Sequence, residues 1–186
     1  MNSRKARLKL ANRKKYVGNM TLAEFNALPP QAAEAALLDC CGSTRWTKRV
    51  AVRRPFDGTG ALFAAADAVW REMGRDDILE AFSKHPQIGE KAASGSESHR
   101  RWSAGEQSSA QTAAEDVKTR LARGNRAYFE KFGYIFIVCA TGKPAEEMLA
   151  ILERRLQNEA ARELPIAAEQ QRLILRLRLE KLFAGG

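Results

Sequence analysis

Residues 134–140 read Tyr-Ile-Phe-Ile-Val-Cys-Ala, an apolar run with the composition of a β-strand. A strand needs a partner, because its backbone N–H and C=O groups are satisfied only across a ladder. No second convincing strand accompanies this run, and the rest of the chain carries helical punctuation. The run is therefore expected to be an extended buried segment inside an all-α fold. It is also far shorter than the ~20 apolar residues that a membrane-spanning helix requires.

The punctuation sets the expected helices. Thr21-Leu-Ala-Glu24 has capping-box spacing and opens a short helix that stops at Pro29-Pro30. Pro30 starts the next helix, through Cys41, with Gly42 just past its end. Residues 43–54 carry Trp46, Val50 and Val52 among basic residues, and Pro55 closes them. A helix over 60–73, capped by Thr59, places Leu62, Phe63, Ala66, Val69, Trp70 and Met73 on one broad stripe. Asp77-Ile-Leu-Glu80 reads as a second capping box, for a helix that Pro86 stops at His85 or just before it. The Gly/Ser-rich and charged residues 89–101 read as a loop, with His99 solvated in it. Ser103-Ala-Gly-Glu106 reads as a third capping box, opening a helix to about Lys131. Helices through Asn158 and over 162–183 follow. The expectation is one all-α domain over residues 20–186: a bundle of about eight helices, with the extended segment near 134–140.

Charge separates this domain from what precedes it. The net charge is +9, yet residues 1–19 hold seven Lys/Arg and no acid, which leaves +2 for the remainder. The basicity belongs to an arm, not to a nucleic-acid-binding face. The arm reads as a solvated or non-native segment, with Met20 an alternative start; binding of a polyanion by the arm is the rival reading. It lacks the apolar core of a secretory signal. The three cysteines, Cys40, Cys41 and Cys139, have no metal-ligand spacing and form no even set, so buried, reduced thiols are expected. The C-terminal Ala-Gly-Gly carries no peroxisomal address, and a cytoplasmic location is the default.

No Gly-rich phosphate loop, zinc-type histidine pair or nucleophile elbow occurs. Chemistry without a metal or organic cofactor would have to come from His, Glu and Arg. His85 is one of two histidines. It reads either as a helix-end cation that complements the dipole or as an imidazole aimed by the corner at Pro86. Glu106 reads as a cap or as a group at a site, with Gln107 beside it. Arg178 lies among leucines, and reads as a snorkelling side chain or as a planar fork for a carboxylate or urea oxygen.

His85-Pro-Gln-Ile-Gly-Glu-Lys-Ala-Ala93, Ser103-Ala-Gly-Glu-Gln107, residues 125–143, residues 151–159 and residues 177–182 occur together in this order. The combination resembles the 2-oxo-4-hydroxy-4-carboxy-5-ureidoimidazoline (OHCU) decarboxylases, which act last in the breakdown of urate to (S)-allantoin. The resemblance covers about residues 20–183. It implies an all-α homodimer without a cofactor, acting on a small ureidoimidazoline carboxylate. It implies His85, Glu106 and Arg178 as the catalytic set. Pro86, Ser103, Gln107 and the backbone of Phe136, Ile137, Val138, Cys139 and Ala140 would bind substrate. A decarboxylase of a related ureido acid would need the same anchors. One departure is Gly89-Glu90, where many relatives carry a small apolar residue and glycine.

Overall fold

The computed structural model describes residues 20–89, 97–106 and 108–184. The basic arm, Glu90 and Gln107 lie outside the described residues. Ten helices are present among those described: α1 Leu22–Ala27, α2 Pro30–Leu38, α3 Thr44–Ala51, α4 Thr59–Arg71, α5 Arg75–Phe82, α6 Glu97–Glu106, α7 Ser108–Thr112, α8 Glu115–Phe132, α9 Ala145–Arg155 and α10 Ala160–Leu182. The all-α expectation holds, with two more helices than the rough count.

Local signals explain several of these elements. The Thr21 hydroxyl accepts from the Glu24 amide at 3.2 Å while the Glu24 carboxylate accepts from the Thr21 amide at 2.9 Å, so α1 begins where its capping box predicts. The second box is displaced. Asp77 is the third residue of α5, and its carboxylate accepts from the Gly74 amide at 3.1 Å. The third expectation fails. Ser103 and Glu106 lie in the last turn of α6, not at a helix start, and the stretch to Phe132 divides into α6, α7 and α8. Part of the expected loop, residues 97–101, is helical.

Apolar burial forms two clusters. One gathers α1 to α4 around Phe25, Leu37, Trp46 and Val69. The other gathers α8, α9 and the 134–140 segment around Leu121, Tyr128, Phe136 and Leu152. The 23-residue α10 supplies Leu175, Leu179 and Leu182 to the first and Ala167 and Ile174 to the second. Each large side chain so enclosed contributes about 1.5–3 kcal/mol. Indole N–H groups are satisfied within the fold: Trp46 donates to the Ala66 carbonyl at 3.0 Å and Trp70 to the Ala168 carbonyl at 3.1 Å. Residues 135–140 have no helix or strand, and Phe136, Ile137, Val138 and Ala140 are buried, as the sequence suggested.

Candidate active site

His85 stands three residues beyond the end of α5, with its amide bonded to the Phe82 carbonyl at 3.0 Å. It is therefore outside the last helical turn, where the dipole would have explained it. A narrow cleft opens in front of it. His85, Pro86, Ile88, Glu106, Phe136, Ile137, Val138, Ala140 and Ile174 line that cleft. Four stretches distant in sequence thus meet: the corner after α5, the last turn of α6, the extended segment and, through Ile174, α10. Gly89, just past the corner, adopts φ +91°, a backbone conformation that glycine tolerates and other residues rarely do.

Behind Glu106 lies Arg178, buried on α10. Its Nε donates to Glu106 Oε1 at 3.1 Å and its Nη2 to Oε2 at 2.8 Å, a bidentate pair. Nη2 also donates to Ser103 Oγ at 3.1 Å, and Nη1 reaches the Asp39 carbonyl at 3.5 Å. The fork is thus turned on Glu106, Ser103 and backbone, and neither Arg178 nor Ser103 lines the cleft. Arg176 points elsewhere, onto the Phe63 ring at 4.1 Å and to Glu180 at 2.8 Å. Lys181 Nζ lies 3.5 Å from Glu106 Oε1 and gives the carboxylate a second cation.

A model of the family described as OHCU decarboxylase matches residues 26–180. The chain belongs to that family. It is 40% identical over 147 residues to the uric acid degradation bifunctional protein TTL of Arabidopsis thaliana, covering 78% of this chain and 45% of that protein. It is 24% identical over 167 residues to the 2-oxo-4-hydroxy-4-carboxy-5-ureidoimidazoline decarboxylase of Haloferax volcanii, covering 89% and 98%. A crystal structure of an OHCU decarboxylase in the presence of (S)-allantoin superposes with a TM-score of 0.71 at 34% identity, covering 81% of this chain and 98% of that one. The chain therefore spans less than half of the bifunctional relative and nearly all of the others. The family's activity is that of a carboxy-lyase in urate degradation. No helix among the described residues is long and apolar enough to cross a membrane.

The electrostatics of this decarboxylase-family site centre on His85. Burial, then the Arg178 charge, then His99 push its pKa well below the usual histidine value, with the Gln171 carboxamide opposing. Part of the ring still opens to the cleft, while the remainder is surrounded by protein. The imidazole is neutral near pH 7. His99 corrects the sequence reading: it is buried on α6, 6.1 Å from His85 between ring centroids, with its pKa lowered to about 4 by burial first and Arg178 second. Among the described residues, neither amide atom of Gln171, fully buried on α10, makes a well-formed hydrogen bond.

Sequence reasoning missed His99, Gln171, Lys181, Ile88 and Ile174 as parts of this neighbourhood. Helical spacing could have found three of them, since Gln171, Ile174 and Lys181 fall seven before, four before and three after Arg178 on the same helix. Cys139 is half-buried and does not line the cleft; Cys40 and Cys41 are fully buried, with burial raising both thiol pKa values, Cys41 to about 12.

Proposed function

We propose that this chain decarboxylates OHCU to (S)-allantoin, with His85 as the proton-transfer group. The observation that carries the reading is the convergence of His85, Pro86, Glu106 and the 136–140 segment on one cleft. The substrate holds its own electron sink. The carbon that bears the carboxylate also bears a hydroxyl and adjoins a ring C=N. When CO₂ leaves, the freed pair forms a ring C=C and displaces the C=N pair onto nitrogen, which takes one proton from solvent. The hydroxyl then gives up its proton to become the carbonyl, and the ureido-bearing carbon gains one. His85, neutral and fixed at the corner, takes the hydroxyl proton and returns a proton to the carbon from one face, which sets the configuration.

Glu106, gripped by Arg178, uses two of its acceptor positions on the guanidinium and offers others to the ring and ureido N–H groups. Arg178 acts through Glu106. Gln107, outside the described residues, would add an amide at the same ring. The backbone of 136–140 supplies further polar contacts. The substrate is a small carboxylate; a homodimer in the cytoplasm, with residues 20–186 as the folded unit, completes the proposal.

The test is stereospecific formation of (S)-allantoin from freshly generated substrate, followed by circular dichroism. His85→Ala is expected to lose at least about 10²-fold in rate while remaining folded. A near-normal rate would remove His85 from the mechanism.

A further inference from the structure

The 136–140 segment has no ladder partner among the described residues, so something else must hold it in register along the cleft. Two side chains do. Arg155 Nη1 donates to the Ile137 carbonyl at 2.7 Å, and the Cys139 amide donates to Gln170 Oε1 at 3.0 Å. The Arg155 anchor is itself fixed. Its Nε donates to Glu163 at 2.6 Å, Glu163 also accepts from the Tyr128 hydroxyl and from Asn158 Nδ2 at 2.6 Å, and the guanidinium lies 4.8 Å over the Phe136 ring. Arg155 and Glu163 are both buried.

The spacing of the two anchored groups has a consequence. In extended backbone the N–H and C=O of one residue point to the same edge, and those of the next residue point to the opposite edge. Residues 137 and 139 are anchored from the helix side. Residues 138 and 140 therefore turn their N–H groups to the other edge; Val138 and Ala140 line the cleft together with Phe136 and Ile137, and Cys139 does not. Among the described residues no backbone acceptor is found for the Val138 and Ala140 amides, whereas the Ala140 carbonyl is used by Lys143 at 3.0 Å.

We propose that Gln170 and the Arg155–Glu163 pair are positioning residues of this decarboxylase, which hold the strand-like segment in the one register that presents the Val138 and Ala140 amides to the substrate. The inference rests on the proposed reaction for its kinetic consequence and on geometry alone for the register. A buried strap without a sheet would otherwise slip or rotate, and a displacement of about 1 Å at a binding edge can cost up to about 10²-fold in rate. The ligand groups that fit two outward amides are carbonyl or carboxylate oxygens, which both the substrate and (S)-allantoin carry.

Gln170 allows a clean experiment, because it accepts the Cys139 amide through Oε1. Gln170→Glu keeps an acceptor and Gln170→Leu removes it at similar size. The Leu variant is expected to lose at least about tenfold in kcat/KM, and the Glu variant to stay within about threefold of the parent. Amide hydrogen exchange, read residue by residue, is the measurement independent of turnover. Exchange at Cys139 should accelerate in the Leu variant and not in the Glu variant. Addition of (S)-allantoin to the parent should slow exchange at Val138 and Ala140 and leave Cys139 unchanged. If the parent does not turn over the substrate, the proposed reaction fails while the exchange pattern still judges the register. Unaltered Cys139 exchange in the Leu variant, or ligand protection at Cys139 instead of Val138 and Ala140, would overturn the proposal.

Discussion

Glu106 has one carboxylate and two cations, and the three groups are not equivalent. Arg178 grips both oxygens and is 1% exposed, whereas Lys181 approaches one oxygen and is 38% exposed. Removal of Arg178 leaves Glu106 with Lys181 still beside it. Removal of Glu106 leaves two cations facing each other, one of them buried. Breaking a buried pair typically costs about 3–5 kcal/mol. Glu106→Met should therefore destabilise more than Arg178→Met, and the double variant should cost at least about 1 kcal/mol less than the two single losses added. Urea denaturation of the four proteins measures this; strict additivity would show that the pair contributes no coupling. The same pair explains what was legible in the sequence and what was not. Ser103 and Glu106 were identifiable as a unit, but their spacing was assigned to a helix start. Three-residue spacing brings the two side chains near each other at either end of a helix. Only Arg178, 72 residues further on, reveals that they are gathered for a guanidinium.

At the scale of elements, legibility followed apolar contrast. α4, α5 and α10 carry stripes or capping signals, and each was placed to within a few residues. The 134–140 segment was legible because its composition demanded a partner that the rest of the chain could not supply. α6 was not legible: Glu-Ser-His-Arg-Arg-Trp-Ser-Ala-Gly-Glu has a single large apolar residue, Trp102, and no hydrophobic period. Its inward face is instead made of Ser98, His99, Trp102, Ser103 and Glu106, spaced as one side of a helix. A polar site-facing helix has the composition of a loop. The α8–α9 contact offers a further test. Gly124 sits inside α8, where Ala would ordinarily gain about 1 kcal/mol. A Cβ there would lie 2.7 Å from Leu152 Cδ2 and 3.2 Å from its Cγ, and Leu152 is fully buried. Overpacking of this kind costs about 1–3 kcal/mol, so Gly124→Ala should destabilise despite its helix propensity. Leu152→Ala should then be less damaging in that background than in the parent, as thermal or urea unfolding would show. Stabilisation by Gly124→Ala alone would contradict the close contact.

Over the whole molecule, the helical elements converge on one cationic guanidinium enclosed near two histidines, and this arrangement governs how stability responds to acid. His85 and His99 both have pKa values depressed by burial and by Arg178, His99 to about 4. In the unfolded chain each titrates near its usual value of about 6.5. Between these limits the unfolded chain binds protons that the folded chain refuses, so stability rises with pH through the window and is lost as pH falls. Above about pH 6.5 both forms are neutral in both states, and the histidines impose no slope. Lower still, Glu169 adds a loss of its own, because its hydrogen bonds to Arg172 hold its carboxyl below the ordinary carboxylate value. The loss on acidification should therefore begin near pH 6.5, above the range in which carboxylates alone would act. The check is the urea midpoint as a function of pH for the parent, His99→Gln and the His85→Asn/His99→Gln double variant. The parent should decline steadily from about pH 6.5 towards 4. His99→Gln should be flatter over that interval, and the double variant flatter again, with all three falling together once carboxylates titrate. Parallel curves for the three proteins from pH 6.5 to 4 would mean that neither histidine is held neutral by the fold, and would remove the neutral imidazole from which the proposed proton relay at His85 starts.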